Sequence, residues 1–106
     1  MLTVVETPEF TVWADKVWTP YEREAFVDWI AMNPEAGDVV PGSGGCRKIR
    51  WGRTGIGRRG GVRVIYYLRL TSGEVVLLIV YAKAKFDNLP APVLASLKEC
   101  FNAKRH

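Results

Sequence analysis

The sequence predicts an α+β fold: a small twisted, mainly antiparallel sheet with a two-helix hairpin near the N-terminus and a helix at the C-terminus. Three observations predict it. A short β-rich start is followed by two capped, proline-led amphipathic segments in series. Residues 46–51 and 62–70 alternate in character with period two. Thr71-Ser72-Gly73 then turns the chain into a continuous apolar run, the pattern of a hairpin whose second strand is buried on both faces.

The elements follow in order. Leu2–Val5 is the first strand. Thr7-Pro8-Glu9 supplies a cap, a proline at the first helical position and an early acid, and Phe10, Trp13 and Val17 give the first helix an apolar face. Thr19-Pro20-Tyr21-Glu22 is a capping box for a second helix that should bury Ala25, Phe26, Trp29 and Ile30. Asn33-Pro34 stops it, because a residue before proline avoids the α region. Residues 35–45 form a turn-rich connection. Strand two, Cys46–Trp51, sets Cys46, Lys48 and Arg50 on one face and Arg47, Ile49 and Trp51 on the other. A glycine-arginine loop, 52–61, leads to strand three, Val62–Leu70, and the turn gives strand four, Glu74–Tyr81. Asp87-Asn88, Pro90 and Pro92 open a last helix with an apolar stripe of Val93, Leu97, Cys100 and Phe101.

A chain of 106 residues is expected to form one domain, 1–106. Cys46 and Cys100 have no metal-binding spacing and are expected to be small core residues. His106, the only histidine, ends the sequence and leaves little for histidine-based catalysis. No metal or cofactor is expected. With no signal peptide and no apolar run near 18 to 20 residues, the expectation is a cytoplasmic protein without a membrane partner.

Charge is divided unevenly. Residues 1–38 hold eight acids and two bases, whereas 39–106 hold three acids and thirteen bases. Between Val39 and Gly73 stand eight Lys/Arg and no Asp or Glu. A solubilising surface normally mixes both signs, so this stretch reads as a polyanion-binding face, with phosphate the ligand class.

The strand pattern lets Lys48, Arg50, Arg63 and Lys83 converge at one end of the sheet. Such a cluster can hold a phosphodiester and stabilise the added charge of a pentacoordinate transition state. Arginine grips phosphate oxygens bidentately, and a lysine crowded by cations has its charged form disfavoured and becomes a candidate base. RNA brings its own nucleophile, the 2′-hydroxyl. The plainer reading is that the cluster binds phosphate without turnover. Gly55-Ile-Gly-Arg-Arg-Gly lacks the Gly-Lys-Ser/Thr of a P-loop, and Ser43 and Thr54 lack a histidine partner for a triad. Trp13, Trp18 and Trp29 read as packing residues, while Trp51, beside the basic loop, is a candidate to stack on a base.

Three blocks carry a family resemblance: Gly37-Asp-Val-Val-Pro-Gly-Ser-Gly-Gly-Cys-Arg-Lys-Ile-Arg-Trp, Gly57-Arg-Arg-Gly-Gly-Val-Arg-Val-Ile-Tyr-Tyr and Tyr81-Ala-Lys-Ala-Lys-Phe-Asp-Asn-Leu. In order and spacing they resemble the HigB branch of the RelE/ParE toxin superfamily, over essentially the whole chain. The resemblance implies the RelE-like fold and a type II toxin: a ribosome-dependent mRNA endonuclease that blocks translation, restrained by a helix-turn-helix antitoxin and meeting operator DNA only through that complex. Position by position, it implies that Arg63, Lys83 and Lys48 are catalytic and that Arg50 holds phosphate or ribosomal RNA. Arg47, Arg53, Arg58, Arg59, Lys85 and Trp51 complete the expected RNA-binding set, although Lys85 stands where relatives often carry an acid. Tyr81 and Tyr67 are candidates to stack or orient. Two other readings share the scaffold: a ParE-type gyrase inhibitor without catalysis, and a basic RNA- or ribosome-binding module.

Overall fold

The computed structural model of the chain describes residues 1–52, 61–83 and 89–104. The element order is β1 (Thr3–Glu6), α1 (Pro8–Val17), α2 (Pro20–Met32), β2 (Asp38–Val39), β3 (Arg47–Trp51), β4 (Val62–Arg69), β5 (Glu74–Ala82) and α3 (Ala91–Lys104). The five strands form one sheet in the order β1-β5-β4-β3-β2. All neighbours are antiparallel except β1 and β5. The α+β expectation holds, with β2 and the parallel β1 pairing as additions.

Helices α1 and α2 cover one face of the sheet and α3 covers the other. The first face buries Phe10, Ala14, Trp18, Phe26 and Ile30 against Val62, Val64, Tyr66, Val75 and Leu77. The second packs Leu94, with Leu97 and Phe101 at its margin, on Cys46, Ile65, Tyr67, Val76 and Leu78. Strand β5 is buried from Val75 to Tyr81, as its apolar run predicts for a strand covered on both sides.

Both predicted caps form. Thr19 Oγ1 accepts from the Glu22 N–H at 3.1 Å while a Glu22 carboxylate oxygen accepts from the Thr19 N–H at 2.8 Å, a reciprocal box. Thr7 Oγ1 accepts from the Phe10 N–H and donates to the Leu77 carbonyl at 2.8 Å, so it starts α1 and also ties it to β5. The β4–β5 register breaks at this level: Ile65 faces Ile79 and Tyr66 faces Leu77, so β5 carries Leu78 as an extra residue. A bulge leaves backbone groups without ladder partners, and Thr7 supplies one.

Two expectations for buried faces are corrected. On α2 the inward arc centres on Phe26 and Ile30, which places Ala25 in solvent. On α3 the docking residue is Leu94, one position after the expected Val93; Val93 and Cys100 are both exposed. A helix presents residues three and four apart on one face, so shifting that arc by one residue exchanges its members. Cys46 is fully buried, as expected.

The connection from α2 to β3 is braced at both ends. The Tyr66 hydroxyl, from the middle of β4, donates to the Pro34 carbonyl and accepts from the Gly37 N–H, both at 2.8 Å. A Cβ on Gly37 would lie 2.8 Å from that hydroxyl, so only glycine fits. Further on, Ser43 Oγ donates to the Val40 carbonyl at 2.6 Å and accepts from the Cys46 N–H at 3.0 Å. Gly44 and Gly45 take positive φ, where an L side chain is strained. The glycines of this motif shape the turn, and Ser43 is its staple.

Tyr66→Phe is expected to cost about 1–3 kcal/mol at neutral pH, because a buried N–H and a carbonyl lose their partner. Burial, the largest influence, raises the Tyr66 hydroxyl above its ordinary value. The unfolded chain therefore loses this proton first, and the stabilisation, complete below about pH 10, is lost as pH rises through the folded value. Denaturant unfolding of both proteins across that range should show a shallower alkaline decline in the variant. The two cysteines are expected to react with an aromatic disulfide in two phases, Cys100 fast and Cys46 only on unfolding, since burial raises the Cys46 thiol despite the opposing Ser43 and Lys98.

Candidate functional site: a cationic cavity across three strands

Strand pairing places the predicted cations. In the β3–β4 register Arg50 stands directly opposite Arg63, and in the β4–β5 register Arg63 stands opposite Tyr81. The three form a row across the sheet on the α3 side. The bulge sets this row. Before it, Val75 and Leu77 pack toward α1 and α2; after it, Tyr81 packs with the α3 side. One extra residue in β5 therefore brings Tyr81 to the face of Arg63.

Lys48, Arg50, Arg63 and Lys83 line one open cavity of about 640 Å³. The lining also includes Ala36, Asp38, Val39, Val40 and Pro41 from the braced connection, with Asp38 directly opposite Lys48 in the β2–β3 register. A second hollow of about 390 Å³ shares Arg50 and Arg63 and is bounded by Trp51, Gly52 and Gly61. The arginine pair thus stands between two recesses. On the helical side of the molecule a hollow of about 270 Å³ is lined by Glu6, Asp15, Glu24 and Arg23, all from the acid-rich N-terminal third.

Arg63 is the most constrained of the four, only 8% exposed. Its guanidinium is held below the usual arginine value, first by burial and then by Arg50, with Tyr81 acting the other way. It remains a cation at neutral pH. Among the described residues no carboxylate pairs with it. Like charges directly opposite on neighbouring strands destabilise a sheet, so this arrangement costs stability until an anion lies between them. Tyr81 is buried beside Arg63 and has a backbone hydrogen bond with Leu89. Burial raises its hydroxyl, more than Arg63 and that hydrogen bond lower it, so it stands there as a neutral group. Lys83 is exposed where β5 ends.

Three expected contributors have partners within the fold. Arg47 alternates to the other face, and its guanidinium donates to the Gly37 carbonyl at 2.8 Å and the Glu35 carbonyl at 3.2 Å, bracing the connection. Trp51 packs against Trp29 and Phe26, with ring centroids 4.8 and 5.1 Å apart, so most of its face is taken by the helical layer. Tyr67 points to α3, donating to Asn102 Oδ1 at 2.6 Å. A polar or aromatic residue in a strand is assigned to a face by register, and these three fall on faces with intramolecular partners. Arg53, Arg58, Arg59, Lys85, Thr54 and His106 lie outside the described residues. Asp38 and Val39 were not anticipated in the site. The only available signal was the position of a lone acid at the border of the basic stretch.

The fold and this cavity together define a RelE-like α+β domain: an open five-stranded sheet, a helical pair on one face and a cationic recess on the other. The chain is similar to the E. coli toxin RelE, solved as a mutant in the free state, with a TM-score of 0.61 over 92% of this chain and 96% of that one. Sequence identity is 17%, so the likeness is one of fold. No protein-family model matches the sequence.

Replacing Arg50 by glutamine is expected to stabilise the free protein by a few tenths of a kcal/mol, small because Arg50 is exposed and screened. Thermal unfolding at low salt should read the gain, and raising the salt should shrink it.

Proposed function

We propose that this protein is the toxin of a type II toxin–antitoxin pair, of the HigB branch, cutting messenger RNA on the ribosome and so blocking translation. The observation that carries this reading is the convergence of Lys48, Arg50, Arg63 and Lys83 on one cavity, with two arginines opposed across the sheet and no acid between them. A gyrase-binding surface has no need of that arrangement. The reading places the protein in the cytoplasm, with ribosome-bound message as substrate and a helix-turn-helix antitoxin as partner, operator DNA being met only through their complex.

In the proposed reaction the message's 2′-oxygen attacks its adjacent phosphorus as the bond to the 5′-oxygen breaks. The products are a 2′,3′-cyclic phosphate and a free 5′-hydroxyl. Arg63 and Arg50 hold the non-bridging oxygens, and their charge is worth most in the pentacoordinate transition state, where negative charge is greatest. Arg63 is immobilised by burial, so little reorganisation accompanies the reaction. Lys48 adds a third positive charge to the cavity floor. Lys83, on the solvent side, exchanges the proton that leaves the 2′-hydroxyl and is returned to the 5′-oxygen. Tyr81 keeps Arg63 oriented through the cross-strand row.

Arg63→Ala and Lys83→Ala are each expected to lower ribosome-dependent cleavage by about 10²-fold or more and to relieve growth inhibition on expression. Cleavage of a defined message on purified ribosomes measures the first effect, and circular dichroism checks that the variants fold. Folded variants that cut at the wild-type rate would sink the assignment. Inhibition of gyrase supercoiling by a protein that cuts no message would establish the ParE-type alternative.

A further inference from the structure

Arg50 and Arg63 line both hollows, the larger cavity on one side of the pair and the smaller recess on the other. Among the described residues the two spaces together are lined by four cations, Lys48, Arg50, Arg63 and Lys83, and one carboxylate, Asp38. A single phosphodiester brings only one negative charge to that set. A guanidinium also carries more N–H donors, on more than one edge, than the two non-bridging oxygens of one phosphate can take up. Neither arginine has a carboxylate partner among the described residues. Charge and donors are thus left over when the larger cavity holds its phosphate, and the same two arginines border the second space.

The second space lies where the sheet loses its side chains. The last cross-strand pair of β3 and β4 is Trp51 with Val62, and the next residues outward are Gly52 and Gly61, both lining the recess. By strand alternation they fall on the face of Arg50 and Arg63. The fold itself does not call for glycine at position 52. Its φ is not positive, and a Cβ built on it would meet nothing within 4 Å. Gly37 is the contrast, closed by the Tyr66 hydroxyl. Glycine costs conformational entropy, and in a strand it often marks a place where a ligand comes close to the backbone. The space kept clear here measures about 390 Å³ and adjoins both arginines.

We propose that this recess is a second phosphate subsite, holding the phosphate next along the same RNA strand, so that the arginine pair straddles two consecutive phosphates. The strand's backbone crosses the Arg50–Arg63 row from one hollow to the other, on a charged track of the kind that holds single strands. The sugar between the phosphates is then fixed at both ends. The inference rests on the message-binding reading of the cavity and adds to it the smallest complete ligand, one nucleoside with a phosphate on each side.

The probes are adenosine 3′,5′-bisphosphate, which is that ligand, and adenosine 3′- and 5′-monophosphate, which each carry one of its phosphates. Affinities are read by calorimetry on the wild type and on Gly52→Leu, whose Cβ has open space and whose side chain occupies the recess without altering charge. Wild type is expected to bind the bisphosphate about tenfold or more tighter than either monophosphate, and Gly52→Leu to cut that ratio about fivefold or more. Attraction by net charge alone is untouched by the substitution, and the ratio does not move when a variant merely loses folded protein. A wild-type ratio near one, or a ratio that Gly52→Leu leaves unchanged, overturns the inference. Ribosome-dependent cleavage of a defined message by the wild type is measured alongside. Cleavage accompanied by a ratio blind to Gly52 removes the subsite and spares the function. A Gly52-dependent ratio in a protein that cuts no message supports the subsite and overturns the endonuclease.

Discussion

The structure is organised around one unfavourable contact, Arg50 facing Arg63 across two central strands. A small domain has little stability to spare, and a like-charge pair inside its sheet draws on it. The fold tolerates the pair because the arginines are fixed by different means. Arg63 is buried in a strand between two ladders, while Arg50 reaches solvent from the next strand. Among the described residues no carboxylate pairs with either arginine, and recesses open on both sides of them. An anion entering either recess meets preset charge, which is the physical basis of electrostatic preorganisation.

Everything around that pair positions it. The bulge in β5 carries Tyr81 to the arginine face, and Thr7 satisfies the carbonyl next to the bulge while starting α1. Tyr66, on the opposite face of β4 from Arg63, holds the connection whose residues 38–41 line the cavity beside β3. Neighbouring residues of one strand thus do separate tasks on its two sides: Arg63 faces the ligand space, Tyr66 the scaffold. The sheet also separates charge, with the cationic recess on one face and the acidic hollow among the helices on the other.

Much of this was legible in the sequence. Capping chemistry is local, so Thr7 and the Thr19–Glu22 box announce both helices. The long strands, the hairpin turn and the convergence of Lys48, Arg50, Arg63 and Lys83 follow from period-two alternation and antiparallel pairing. The errors share a cause, because they concern which face a residue takes when a partner distant in sequence decides it. Arg47 and Tyr67 have the composition of a binding site, yet each is taken by a partner that sequence distance hides, the Gly37 carbonyl and Asn102. Trp51 is held by rings of α2. Asp38–Val39 is too short to give a strand signal, and the bulge reverses the alternation in β5 without any glycine to mark it.

The parallel pairing of β1 with β5 has a consequence for how the molecule comes into being. The last strand made lies between the first strand and β4, so every pairing of β1 waits for residues 74–82. The β3–β4 pairing can set Arg50 opposite Arg63 without β5, but the β1–β5 pairing joins strands about 70 residues apart, and non-local pairings of this kind form slowly. No N-terminal fragment ending before β5 can contain the assembled recess, since Lys83 follows that strand and Arg63 needs its ladder. The complete cleft therefore cannot be assembled before residues 74–83 have been made.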